Sequence, residues 1–571
     1  MRRWRSFSTL MVLGLVLAAC QQGSSQSAEP SGSATASQQE ESAAPFVAKS
    51  YPEGGPADCA YGGEFSQIEA VDELTVEFSL CYPDPAFLSK IAFIANGIQD
   101  SQYLEETMVN HLILARPNGT GPYKFKEYQR GDHLTLEAND AYWGEDKAKA
   151  QTLIVQWNAE AAARLLALQA GTVDGIDNPG PDDFDTIEGD ANLALFPREA
   201  LNVMYLGWTN TFAPFDNPKV RQALAQGIDR KRIVDNFYPG GSTVASHFTP
   251  CNIEFGCEGD EWYAFDKDAA NALLDDVFGA GTRFTTKIFY RDVVRGYLPD
   301  PNVVAQELKS QLADNLGITA EIEVQESGTF LDNSSAGLLD GLYLLGWGAD
   351  YPDPTNFLDY HFNNPGNLQF GTIDASVTGP LDTGAQTLDA DARRAAYEEA
   401  NNAIKAFVPM IPIAHGASGT AFKADVTGAH SSPLGNEVFA GMDPGGRDTF
   451  VWMQNAYPIS LYCSDETDGE TLRLCEQMTD ALYSYEVGGT AAEPALATGC
   501  EPNADATVWT CTLREGVKFH NGANLDASDV VDTYAVQWDL DHPLHIGRTG
   551  SFEYFAGFFG QYLNVPPPPP A

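Results

Sequence analysis

The chain has 571 residues, 43% apolar and 20% charged, a balance that supports large cores and excludes an intrinsically disordered chain. Length alone suggests about four domains at roughly 150 residues each. The formal charge of −46 disfavours nucleic acid and anionic membrane surfaces as main partners, because both need clustered Lys and Arg.

The first element is an export signal. Arg2, Arg3 and Arg5 precede an apolar run from Leu10 to Ala19, which is too short to span a bilayer as a mature helix. It ends in Leu17-Ala18-Ala19-Cys20, which resembles a bacterial lipoprotein lipobox. That resemblance implies a signal peptide over 1–19, cleavage before Cys20 and lipid on the Cys20 thiol. The next stretch, 20–48, reads as a tether, rich in Ser, Gln, Ala and Gly, which cannot bury a core. No other stretch reaches 18 consecutive apolar residues, so the sequence predicts no further membrane span.

Strand and helix signals alternate from about residue 60. Leu74, Val76, Phe78 and Leu80 alternate with polar residues, the period of a half-buried strand. Asn217 caps a predicted helix beginning at Pro218, with Val220, Leu224 and Ile228 on one face. Asp266 starts another, carrying Ala270, Leu273, Leu274 and Val277. Val304, Leu308 and Leu312 line a third, ended by Gly317. Ile318, Ala320, Ile322 and Val324 alternate as a strand, and Tyr397, Ala400, Ile404 and Val408 line a helix stopped by Pro409. The mixture argues an α/β fold. The tail, 566–571, begins with five prolines and reads as an extended polyproline end, inert in preference to a ligand for some groove.

Setting Cys20 aside, the remaining eight cysteines fall in local pairs: Cys59 with Cys81, Cys251 with Cys257, Cys463 with Cys475, and Cys500 with Cys511. An exported protein lives where disulfides persist, though spacing alone does not fix their connectivity. No CxxC or zinc-ribbon spacing occurs, so no metal is expected. HExxH, GxSxG, phosphate-loop and dinucleotide motifs are absent as well. The sequence therefore predicts a non-enzyme without a cofactor. Asp465 to Gly469 lacks EF-hand spacing and reads as a turn, and His542 and His545, split by Pro543, as a loop pair without metal.

Four segments carry a family resemblance. Leu513-Arg514-Glu515-Gly516-Val517-Lys518-Phe519-His520-Asn521-Gly522 is followed by Ala527, Asp529 and Val530; Gly119-Thr120-Gly121-Pro122-Tyr123 by Asn139, Tyr142 and Trp143. Asn210, Pro214 and Phe215 precede Val220-Arg221-Gln222-Ala223-Leu224 and Asp229-Arg230, and Trp347 to Leu358 reads WGADYPDPTNFL. Together they resemble the family 5 extracellular solute-binding proteins, the peptide, dipeptide and nickel receptors of ABC importers. The order differs from the family's. There the FHxG segment lies near the mature N-terminus, whereas here it comes last; no motif occurs twice. Such an order is what a circular permutation leaves. It places the ancestral join near 440–455 and the new ends near Pro52 and Val565, so segments 60–80 and 500–560 must pack together.

The resemblance implies a two-lobed, periplasmic-binding-protein-like α/β fold (type II, cluster C), circularly permuted, with ligand between the lobes. Lobe I is expected over 49–210 and 416–565, lobe II over 211–415. The implied function is capture of peptides outside the cell membrane by a monomeric, lipid-anchored receptor, and delivery to the permease. Alternatives with the same fold are an oligosaccharide or a nickel or metal-chelate receptor; outside transport stand a lipid-anchored hydrolase and a sensory binding protein. In oligopeptide receptors the Asp of this WxADY segment pairs with the peptide's α-amino group, a role that falls to Asp350. Trp347 and Tyr351 are candidates for the pocket wall. Tyr205, Trp208, Asn210 and His415 flank the inferred lobe crossings, and Glu466, Thr467 and Asp468 form a lobe I loop that can approach ligand.

Overall fold

The structure, a computed structural model, describes residues 46–364 and 366–565. The signal peptide, Cys20, most of the tether and the 566–571 tail lie outside the described residues. Among the described residues no helix is long and apolar enough to cross a membrane.

Three large sheets organise the described residues. The first runs Lys49–Tyr51, Phe65–Asp72, Thr75–Leu80, Val508–Leu513 and Ala497–Pro502, each strand bonded to the next. The strand read at Leu74 to Leu80 is there, with Val76, Phe78 and Leu80 buried. Its neighbour, Val508–Leu513, comes from the far end of the chain, with Cys511 opposite Val76. Residues 455–560 are thus no separate domain: Val508–Leu513 and Ala497–Pro502 complete a sheet begun at residue 49, and the helix Ala527–Trp538 packs on it. Phe65 packs at its centre against Tyr534, Trp538 and Phe559.

The second sheet has seven strands, with Thr449–Gln454 between Thr152–Trp157 and Gly175–Asp177, parallel to both. Burial alternates along these strands: Leu153, Val155, Phe450 and Trp452 share one fully buried face, while Ile154, Val451 and Met453 on the other are partly buried. The third sheet has six strands, Thr243–Val244, Met410–His415, Asn202–Trp208, Leu342–Gly348, Thr285–Arg291 and Thr319–Gln325 in that order. Local signals set its helices. Asn217 accepts from the Lys219 amide ahead of Pro218–Gly227, and Asp266 caps Lys267–Phe278. Pro301–Leu316 ends on Gly317 at φ 68°, a left-handed turn that glycine adopts without strain.

One expected boundary moves. Lobe I was read to residue 210, yet Asn202–Trp208 is an inner strand of the third sheet. Its seven residues are all buried, so it reads as continuous apolar sequence with no alternation to reveal which sheet it joins. The first and second sheets, called lobe I below, draw on 49–198 and 418–513, and the third, called lobe II, on 202–415, so the chain passes between them near 201 and 416. All four local cysteine pairs form disulfides.

Candidate ligand site

At the two crossings Asn202 lies beside His415 and Gly416. The Asn202 side-chain amide donates to the Gly416 carbonyl, and its Oδ1 accepts the Gly416 N–H, both at 2.8 Å. The Asn202 carbonyl accepts from His415 Nδ1 at 2.6 Å. Burial pushes the His415 pKa down to about 4, so the ring stays neutral at physiological pH and fastens the crossing strands. Gly416 must be glycine, since a Cβ there would collide with the Gly296 carbonyl.

Beyond the strand Leu342–Gly348 the chain turns toward lobe I. Asn356 orders this turn: its Oδ1 accepts the Asp350 N–H at 3.0 Å and the Trp347 indole at 3.1 Å, while its Nδ2 donates to Asp350 Oδ2 at 2.9 Å. Asp353 caps the following helix, Pro354–Phe362, and both its oxygens lie 2.9 Å from Arg393. The turn is thus held by hydrogen bonds and an ion pair of its own.

Lobe I meets this turn with aromatic residues. The Tyr554 hydroxyl donates to Asp350 Oδ1 at 3.0 Å, and the Tyr485 hydroxyl lies 3.2 Å from the Asp350 carbonyl. Tyr360 donates to Glu553 at 2.7 Å and stacks on Trp347, with centroids 4.2 Å apart. The Tyr351 ring enters the lobe I core against Phe558. Asp350 is 8% exposed, and among the described residues no cation bonds to its carboxylate. Burial pushes its pKa up to about 7 against the pull of the Asn356 and Tyr554 bonds, with Glu553 adding to the rise. A buried carboxylate without a counter-charge is ready to receive a cationic group.

The second contact between the lobes was not read from the sequence. Arg295 of lobe II donates to Glu470 of lobe I at 3.0 Å. Arg295 sits in an irregular Val294-Arg295-Gly296 stretch, and a single Arg there gives no pattern to detect. Nearby, Asp468 caps the helix Gly469–Met478 and burial lifts its pKa to about 7. Glu466 is spent on a two-pronged pair with Arg548 at 2.6 and 2.7 Å, so it stands already neutralised. Thr467 is exposed beside them.

Three expected cleft residues lie elsewhere. Tyr205 is fully buried in lobe II, bonded to Gln369 and packed on Phe248. Trp208 is equally buried and stacks on Phe215. Asn210 ties its loop to Thr372 through both ends of its amide. The strand Asn202–Trp208 carries the Tyr205 and Trp208 side chains into the lobe II core, while the Asn210 amide, past the strand's end, is used in holding its loop to Thr372. Among the described residues one His/Cys group, His247 with Cys251 and Cys257, has metal-ligand proximity, but its sulfurs are joined in a disulfide.

Comparison with known proteins agrees with this architecture. The family model described as bacterial extracellular solute-binding proteins, family 5 Middle, matches residues 29–369 and 491–551. Di/tripeptide-binding protein 1 of Pseudomonas aeruginosa is 30% identical over 400 residues, covering 68% of this chain and 74% of that protein. The dipeptide-binding protein of Escherichia coli is 28% identical over 382 residues, covering 66% and 70%. A crystal structure of the dipeptide-binding protein from Pseudoalteromonas, in complex with Met-Leu, matches with a TM-score of 0.61 at 26% identity, covering 66% of this chain and 76% of that one. With matches of this breadth to both sequence and fold, the chain belongs to the family 5 bacterial extracellular solute-binding proteins.

Proposed function

We propose that this protein is the peptide receptor of an ABC importer, a binding protein and not an enzyme, with Asp350 as the anchor for the ligand's α-amino group. The observation that carries the reading is the Asp350 carboxylate, buried where the lobes meet, held by Asn356 and Tyr554 and paired with no cation among the described residues. An ammonium group supplies the missing charge. The peptide relatives and the dipeptide-bound neighbour support the same ligand class. Trp347 and Tyr351 hold the anchor's turn in place. Peptide backbone pairing then tolerates varied side chains. Asp350→Asn keeps the shape and removes the charge, so it weakens peptide binding more than tenfold by calorimetry; unchanged affinity removes Asp350 from the site. Native mass spectrometry of freshly purified protein tests the ligand class, since a retained sugar or metal mass would displace the peptide reading.

The lipobox at Cys20 supports an extracytoplasmic receptor anchored to the membrane and acting as a monomer beside its permease. Cys20→Ser is expected to move the protein from the membrane fraction to the soluble one. We further read the chain as circularly permuted. The sheet in which Val508–Leu513 lies beside Thr75–Leu80 supports this, as do the contacts that Lys49 and Asn564, near the two ends of the described residues, make with Asp532 and Asp539.

A further inference from the structure

The two ends of the described chain share one carboxylate. Asp539, at the end of the helix Ala527–Trp538, accepts from the Tyr51 hydroxyl on one oxygen and from the Asn564 amide, at 2.8 Å, on the other. Lys49 pairs with Asp532 of the same helix at 2.6 Å. Beside this clasp lies a groove of about 610 Å³, whose walls include Pro52, Gly54, Ala57, Tyr61, Tyr562 and Leu563.

The groove's chemistry is specific. The Tyr61 hydroxyl donates to the Phe65 carbonyl at 2.7 Å and accepts from the Trp538 indole at 3.2 Å. The Tyr562 hydroxyl donates to the backbone at Ser551 and Phe552. Both hydroxyls are therefore satisfied within the fold, and the half-buried rings offer the groove mainly apolar surface. No Lys or Arg lines it, and Asp58 and Asp539 do, which disfavours an anionic occupant. The adjoining strand Lys49–Tyr51 is at the edge of its sheet, paired on one side only, and such edges are usually covered.

We propose that this groove seats the chain's own Pro566–Pro570. Val565 itself lines the groove, and Asn564 takes a positive φ of 60°, turning the chain immediately before the prolines. Five prolines in the polyproline conformation span ~15 Å. They carry no N–H needing a partner and lose little entropy on ordering, which is why aromatic-lined grooves select them. Because the segment is tethered at the groove's rim, even a weak contact is made at high effective concentration. The docked tail covers the seam where the two ends of the described residues meet, and this holds whatever ligand the cleft takes.

The test compares the full chain with one ending at Val565 by hydrogen exchange over residues 50–62 and 538–563. The full chain is expected to exchange at least about fivefold more slowly there, and a free Pro-Pro-Pro-Pro-Pro-Ala peptide added at millimolar concentration restores protection to the shortened chain. Gly54→Leu places a side chain at the groove's lip, where a Cβ meets nothing within 4 Å. It should fold normally and exchange like the shortened chain. Equal exchange in the full and shortened chains overturns the proposal. Protection that rises with protein concentration overturns it too, because the tail would then be seated in a second copy.

Discussion

The Tyr554 hydroxyl and the Asp350 carboxylate, 204 positions apart in sequence, meet at 3.0 Å across the two lobes. Tyr554 stands on the short helix Glu553–Phe559 of lobe I, and Asp350 on the lobe II turn ordered by Asn356. The bond therefore exists only when the lobes are together. A hydrogen bond to a carboxylate contributes about 1.5–3 kcal/mol. Tyr554→Phe is expected to weaken peptide affinity about tenfold or more at pH 7, read by calorimetry, with little change in melting temperature. If affinity is unchanged, the bond serves packing alone.

The same carboxylate sets a pH dependence. Burial first, then Glu553, lifts the Asp350 pKa from 3.8 to about 7 despite the Asn356 and Tyr554 bonds. In the empty protein this favours the protonated form, so the group's contribution to stability is fully present below pH 4 and is lost as pH rises through 7. An ammonium ligand reverses the preference, because it binds the ionised form. Peptide binding at pH 5.5 is thus expected to release close to one proton, and affinity to climb between pH 5 and 7 and then level off. Calorimetry in two buffers of different ionisation enthalpy counts the proton. Asp350→Asn should remove the release, and a wild-type count near zero would sink the assignment.

Lobe I has its own buried charge arrangement. Glu437, Arg473, Arg198 and Asp177 form a closed ring of ion pairs, from 2.6 to 3.0 Å. Burial alone would raise the Glu437 pKa, but Arg198 and Arg473 outweigh it and hold it down to about 2. Its stabilisation is present above the ordinary value of 4.5 and fades as pH falls toward 2. Glu437→Gln leaves two arginines short of a buried partner, a loss of about 3–5 kcal/mol. Urea unfolding at pH 7 should show that loss, and it should shrink at pH 3. An equal loss at both values would mean that packing, not charge, is responsible.

The sequence was legible wherever one local pattern decided the outcome. Asn217-Pro218, Asp266 and Gly317 each satisfy or end a helix through atoms within a few residues, so the helices they bound were readable. The cysteine pairs are local in the same sense. The Asn202–Trp208 strand was not readable, because residues buried on both faces show no alternation and the partners that place it lie at 342–348 and 410–415. That misplacement carried Tyr205 and Trp208 into an expected cleft. Arg295 and Tyr554 stayed hidden for the related reason that each acts through a residue across the lobe boundary. Neither position has a sequence neighbour that hints at its partner.

The permutation reading makes the last prediction, and it concerns connectivity rather than contacts. Tyr51 and Asn564 bind opposite oxygens of Asp539, so a short Gly/Ser linker can join residue 565 to residue 46. New ends can be opened between Gly445 and Gly446, both exposed and both at positive φ, a turn on which no strand pairing depends. This rearranged chain restores the family order of motifs. Every sheet partner is retained, and only loop-closure entropies change, by about 0.6 kcal/mol for each doubling of loop length. The rearranged protein should therefore fold, melt within about 5 °C of the natural chain and bind the same peptide within about twofold, since small free-energy changes shift the melting temperature by only a few degrees. Scanning calorimetry and peptide titration decide it. A soluble chain that folds but has lost the cleft would mean that the present order of segments is needed for the site, and the permutation reading would fall.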